Sequence, residues 1–194
     1  MAVRNTLQVG NPILKAPNQR VVNPSDPQIQ HIIKDMIDTM HKNNLIGLAA
    51  PQIGENYHLF ITEPRETKTR TKDQSDDLRI YINPTITKFS DEKTEIWEGC
   101  GCVANGTLFA PVIRPKIITI TATNINGKEF QIKADGILGR VIQHENDHLS
   151  GIEFTEKISD MKRLMSKEYY IEYIKPVPET TANSLITIKE YSEL

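Results

Sequence analysis

The stretch His144-Glu145-Asn146-Asp147-His148 constrains this chain more than any other, because imidazoles four residues apart share a face when they stand on an α-helix. On such a helix both rings can reach one ion, and Glu145, next to the first, is aimed at the same place. Zinc or iron takes neutral imidazole donors, and hydrolysis needs a carboxylate near enough to take a proton from water and return it to the leaving amine. The flanking sequence supports the helix: Asp135 stands as an N-cap, helical residues run from about Gly136 to Leu149, and Gly151 follows as a stop. Two histidines leave an ion short of a third protein ligand. Upstream, Glu98-Gly99-Cys100-Gly101-Cys102-Val103 offers a thiolate on a tight, glycine-flanked segment; downstream there is no further histidine, but Glu153, Glu156, Glu168 and Glu172 remain as carboxylate candidates. Cys100 with both histidines would leave one position open, as catalytic rather than closed structural sites do.

Composition narrows the setting. A chain of 194 residues can bury one sizeable core, so a single domain over 1–194 is expected. The near balance of 23 Lys and Arg against 25 Asp and Glu gives no broad basic surface, and nucleic acid is not an expected partner. Apolar runs fall far short of the roughly 20 residues that cross a bilayer, and no secretory signal is visible, so a soluble protein without membrane attachment is expected. Cys100 and Cys102, separated by one glycine, would form a strained disulfide and suit a reducing compartment. The acid-free start faintly resembles an organellar leader, but Pro12, Pro17 and Pro24 break the amphipathic helix a leader needs. A cytoplasmic location is expected, with an organellar matrix as the alternative.

Further elements follow from periodicity. Ser25, with Gln28 in capping-box spacing, should start a helix reaching His41, whose Ile29, Ile32, Ile33, Met36, Ile37 and Met40 form one apolar stripe. Gly47 to Gly54 is too short and too rich in breakers for a helix, and its backbone can line a surface. Strands are expected at His58–Thr62, Arg79–Phe89, Ile117–Thr123 and Glu129–Lys133, the last two joined by a hairpin at Asn126-Gly127. Residues 64–77 read as a solvated loop. A second helix is expected from a Ser159 cap to Ile174, ended by Pro176 and Pro178, and Leu185–Ile188 as an edge strand rather than a tail within 175–194.

Gly47-Leu48-Ala49-Ala50-Pro51-Gln52, Glu98-Gly99-Cys100 and Gln143-His144-Glu145-Asn146-Asp147-His148-Leu149, in this order and spacing, resemble the three motifs of peptide deformylases. The likeness covers roughly Leu7 to Ile158. It implies an α+β fold, with mixed or antiparallel sheets packed around a central helix from the C-terminal half that carries the His-Glu-x-x-His motif. It implies metal-dependent removal of the N-formyl group from N-formylmethionyl peptides of nascent chains. Cys100, His144 and His148 would bind one divalent metal, ferrous iron in the cell and zinc or nickel in purified protein. Glu145 would act as acid and base, while the Gln52 amide and the Gly101 N–H would donate to the oxyanion. Leu45, Ile46 and Gly47 would lie along the substrate, and Ile142 could line its pocket. A transient ribosome contact and a monomer are the expected associations. Asp147 could orient a ligand imidazole or pair with Arg140.

Three positions depart from that family's pattern: Leu45 stands where the first motif usually opens on glycine, Gly101 replaces a leucine, and Cys102 replaces a serine. The first should hinder close approach of a peptide. The second should loosen the loop, and the third sets a second thiol beside the ligand. Two rivals therefore stand beside the deformylase reading. One is an endopeptidase that takes its third ligand from the downstream glutamates; the other is a catalytically weak, deformylase-like binding protein.

Overall fold

The computed structural model describes residues 2–194. Among the described residues, two antiparallel sheets and four α-helices make up an α+β architecture. The larger sheet is ordered β1 (Gly47–Ala49), β2 (Leu59–Thr62), β3 (Arg79–Phe89), β6 (Ile118–Thr123), β7 (Glu129–Ala134), β9 (Lys189–Glu193). The smaller is β4 (Lys93–Glu98), β5 (Leu108–Pro115) and β8 (Met165–Ser166). The helices are α1 (Pro27–Lys42), α2 (Gly136–Leu149), α3 (Lys167–Tyr169) and α4 (Pro178–Ser184).

Side-chain alternation in β1 and β2 sets the layers. Leu48, Leu59 and Ile61 join Ile29, Ile32, Ile33, Met36 and Met40 of α1 in one core cluster. Their neighbours Ala49 and Phe60 join Leu138, Val141 and Ile142 of α2 in another. Period two thus places α1 on one face of this end of the sheet and α2 on the other. Each aliphatic side chain so buried contributes roughly 1.5–3 kcal/mol, which offsets the cost of the polar groups that α2 also buries. A third cluster gathers Leu14, Cys100, Cys102, Val112 and Phe154.

The helix ends differ from expectation in instructive ways. Asp26, not Ser25, caps α1, its side chain accepting from the Gln28 N–H at 2.8 Å. Asp135 is the N-cap of α2, its carbonyl accepting from the Gly139 N–H at 2.8 Å, but its side chain makes no cap bond: the carboxylate accepts the backbone N–H groups of Thr187 and Ile188, both at 2.8 Å, and the Thr187 hydroxyl. That engagement keeps Leu185–Ile188 out of the sheet, and the C-terminal edge strand forms later, at Lys189–Glu193 against β7. The helix expected from Ser159 to Ile174 forms only in its second half. Ser159 donates to the Pro111 carbonyl, Met161–Arg163 form a single 3-10 turn, Met165 and Ser166 pair with β5, and continuous helical backbone runs only from Lys167 to Ile174, where Tyr170 stacks on Phe109 at 4.4 Å.

Strands β4 and β5 lay outside the periodicity reading altogether, although they carry Glu98 and Arg114. The loop over 64–77 is not wholly solvated either: Gln74 and Asp76 are buried, with Asp76 paired to Arg79 and Lys189. The Asn126-Gly127 hairpin forms as expected, with Gly127 at φ 80°. Among the described residues, no helix is long and apolar enough to cross a membrane.

Candidate metal centre

Helix α2 presents His144, Glu145 and His148 on its inner side, all three buried. One face of a helix can carry both a core and a site here because Leu138, Val141 and Ile142 fill the turns before the histidines. Strand β1 approaches closely enough that a Cβ on Gly47 would lie 2.5 Å from Glu145 Oε1 and 2.5 Å from Val141 Cγ2. Glycine is required at that position by space alone, and its absent side chain is what lets Glu145 lie against the strand.

Cys100 arrives from the turn after β4. Its sulfur lies 3.3 Å from His148 Nε2, and the ligand atoms offered by Cys100, His144 and His148 all fall within 4.8 Å of one another. The downstream glutamates do not join this grouping. Two imidazoles and one thiol, all buried, match the donor set of a zinc or ferrous ion. The outer partner of His144 fits as well: Glu98 Oε2 lies 2.8 Å from its Nδ1, which fixes the proton there and leaves Nε2 as the donor.

The Gln52 amide spans both motifs. Its Oε1 accepts from the Ala49 N–H at 2.6 Å, while Nε2 lies 3.5 Å from Cys100 Sγ and 3.4 Å from Cys102 Sγ. An N-terminal strap stitches the two loops together. Leu7 N–H donates to the Gln52 carbonyl at 2.8 Å and Val9 N–H to the Cys102 carbonyl at 2.7 Å. The Gln8 amide donates to the Gly101 carbonyl at 2.8 Å and accepts from Asn105 N–H at 2.9 Å. Across the same Gly101–Cys102 peptide, the Cys102 N–H points at Cys100 Sγ, 3.4 Å away. The strap therefore fixes the plane that carries a donor to the sulfur.

The electrostatics follow from burial opposed by specific partners. Burial pushes Glu145 up, from 4.5 to about 7, because few groups offset its desolvation. Burial works the other way on His148 and, with the charges of His144 and Arg114, holds it well below the ordinary histidine range, so it is neutral. For His144 burial also lowers the value, but the Glu98 hydrogen bond and the charges of Glu145 and Glu98 outweigh it and the net direction is upward. Glu98 resists its own burial because Arg114 and His144 hold its carboxylate well below the usual range. The neighbouring Cys102 thiol, then burial, push Cys100 up; a cation would be needed to favour its thiolate.

The residues singled out from sequence are therefore brought together, with Gln52 and Gly101 beside the Cys/His cluster. Leu45 is half-buried, its methyl groups 3.4 and 3.6 Å from where a Cβ on Gly101 would sit. Ile46 is half-buried and packs against the central core, whereas Ile142 is fully buried within it and offers no open wall. Asp147 pairs with Arg114, neither with Arg140 nor with an imidazole; Arg140 instead reaches Glu98 Oε1 at 2.8 Å. Sequence reasoning missed Thr6, Gln8, Arg114 and the role of Glu98. Only Glu98 carried a signal, its place two residues before the cysteine.

Comparison with known proteins gives a consistent result. The sequence profile described as "Polypeptide deformylase" matches residues 3–164. A peptide deformylase of Roseiflexus castenholzii is 35% identical over 176 residues, covering 86% of this chain and 94% of the relative. The crystal structure of peptide deformylase from Ehrlichia chaffeensis in complex with actinonin superposes with a TM-score of 0.74 at 33% identity, covering 90% of this chain and 97% of that one. A Met-Ala-Ser-bound class I type b peptide deformylase from Acinetobacter baumannii gives a TM-score of 0.74 at 27% identity, covering 81% of this chain and 99% of that one.

Proposed function

The chain belongs to the polypeptide deformylase family, and from that membership and its buried site we infer that it hydrolyses the N-formyl group of N-formylmethionyl peptides. The products are formate and a free N-terminal amine on a nascent chain. The observation that carries this reading is the convergence of Cys100, His144 and His148, with their ligand atoms within 4.8 Å, beside a buried Glu145. These three residues would hold one divalent cation, which supplies a Lewis acid at the scissile group. Ferrous iron is the ion we propose for the cell, and zinc or nickel suits the same donors.

The protein's own groups divide the remaining work. Glu145, pushed up to about 7 by burial, is poised near neutrality to take a proton from the attacking water and pass it to the departing amine. The Gln52 Nε2–H and the Gly101 N–H are the donors proposed for the oxygen on which charge develops. Strand β1 lies at the edge of the large sheet, so an extended peptide can pair with the main chain beside it. Leu45 contributes little to that pairing, because its N–H is taken by the Met40 carbonyl and its own carbonyl by Arg65 Nη2 at 2.8 Å. The Ile46 carbonyl is likewise taken, by the Glu63 N–H at 2.8 Å, so Ile46 would meet the substrate through its side chain and Gly47 through its main chain.

The endopeptidase alternative needs a downstream carboxylate as third ligand, and the position of Glu153 speaks against it: that side chain faces His148 Nδ1, away from the Cys100 sulfur at Nε2. Formate release from formyl-Met-Ala by anaerobically iron-loaded protein tests the whole reading. Turnover is expected. A folded, metal-loaded protein that releases no formate would leave the binding-protein alternative standing.

A further inference from the structure

Glu153 begins the turn that follows α2. Gly151, at φ 68°, reverses the chain, and Phe154, fully buried, anchors it so that the Glu153 side chain folds back against the helix end. Its Oε2 lies 3.6 Å from His148 Nδ1, with both side chains only 2% exposed. Neither Glu153 oxygen has a hydrogen-bond partner among the described residues, and neither does His148 Nδ1. Three buried polar atoms thus face one another unpaired, although such groups almost always find partners in folded proteins.

The geometry of the imidazole explains the arrangement. The Cys100 sulfur stands 3.3 Å from Nε2, on the side of the ring opposite Nδ1, so Glu153 cannot share an ion with Cys100 through this histidine. A neutral imidazole carries one proton on either nitrogen. Donation from Nε2 to a cation obliges that proton to sit on Nδ1, where it needs an acceptor. Glu153 is the buried carboxylate within reach.

We propose that Glu153 is the outer carboxylate of His148, a positioning residue that accepts a hydrogen bond from Nδ1–H and strengthens the imidazole as a metal donor, as Glu98 does for His144. The site then rests on two carboxylate–imidazole pairs, one from the strand before the cysteine and one from the turn after the helix. The proposal rests on the Cys100–His144–His148 reading and adds to it a residue that the metal does not touch.

Zinc affinity, measured by chelator competition on the full-length chain, tests it. Glu153→Leu is expected to weaken zinc binding about 10–100-fold. Glu153→Gln, whose amide oxygen can still accept the Nδ1 proton, should fall between Glu153→Leu and the parent. Cobalt-substituted protein should show a shifted d–d spectrum in both variants. The melting temperature of metal-free Glu153→Leu should equal or exceed that of the parent, because an unpaired buried carboxyl is removed. Zinc affinity unchanged within about twofold in both variants would overturn the proposal, as would equal losses of melting temperature with and without metal, the mark of a packing role. Should Glu153→Leu fail to fold, Glu153→Gln carries the affinity comparison alone. If Cys100→Ala binds zinc as tightly as the parent, the failure lies in the ligand triad itself and the proposal falls with it.

Discussion

Replacing Glu145 with Gln separates two consequences of burying a base. In the metal-free protein the Glu145 carboxyl sits at about 7 against 4.5 for an exposed one, and its Oε2 has no partner. Below 4.5 the group is protonated in both folded and unfolded chains and exacts no penalty. As pH rises toward 7 the unfolded chain ionises first, so folding stability falls; above 7 the loss is complete. A gap of 2.5 pH units, at roughly 1.4 kcal/mol each, is ~3 kcal/mol. Glu145→Gln removes the titration. Urea denaturation of both metal-free proteins at pH 5 and pH 8 should therefore show a small difference at the lower pH and a variant more stable by ~3 kcal/mol at the higher, or about 6–12 °C in melting temperature. The same variant should lose about 10²–10⁴-fold in kcat. A stability difference that is equal at the two pH values, or a parent that is the more stable protein at pH 8, would refute the reasoning.

Gly47→Ala should abolish most turnover on formyl-Met-Ala and cost about 1–3 kcal/mol, because the new methyl lands 2.5 Å from both Glu145 Oε1 and Val141 Cγ2; parental kcat would contradict this. Glu98→Gln leaves Arg140 buried without its paired carboxylate and Arg114 with Asp147 alone, and should destabilise by about 3–5 kcal/mol in urea denaturation. Gln8→Ala removes the clamp on the Gly101 carbonyl and should lower kcat/KM about fivefold, the equivalent of one ordinary hydrogen bond, with metal content unchanged by elemental analysis.

The fold was most legible where one period ran undisturbed. The apolar stripe of α1 and the alternation through β6 and β7 needed no knowledge of neighbours, and the helix beneath His144 and His148 was equally plain. Strands β4 and β5 were hidden because Glu98 and Arg114 point inward, each less than a tenth exposed, and a buried ion pair reads in sequence as a solvated stretch. The residues after Ser159 have helical spacing, but pairing of Met165 and Ser166 with β5 and the stacking of Tyr170 on Phe109 delay the helix. Asp135 shows the same override at one residue, a local cap signal diverted to the backbone of 187–188, distant in sequence.

At the site, residues adjacent along the chain were readable and residues adjacent only in space were not, and Leu45 with Gly101 shows why single departures mislead. Taken alone, a leucine in a segment expected to lie along the substrate should crowd it, and a glycine after the cysteine should loosen the donor. Together they share one volume: the Leu45 methyl groups stand 3.4 and 3.6 Å from where a Cβ on Gly101 would lie, in van der Waals contact, so a long side chain at 101 would compete with Leu45 for that space. The freedom that glycine adds is removed elsewhere, by Gln8 and Thr6 on the Gly101 carbonyl at 2.8 and 3.3 Å and by Arg65 on the Leu45 carbonyl at 2.8 Å. The conformational entropy of the loop is therefore set by three side chains outside the motifs. A motif scan weighs each position against a pattern, whereas the loop answers to the volume and hydrogen bonds that those positions share.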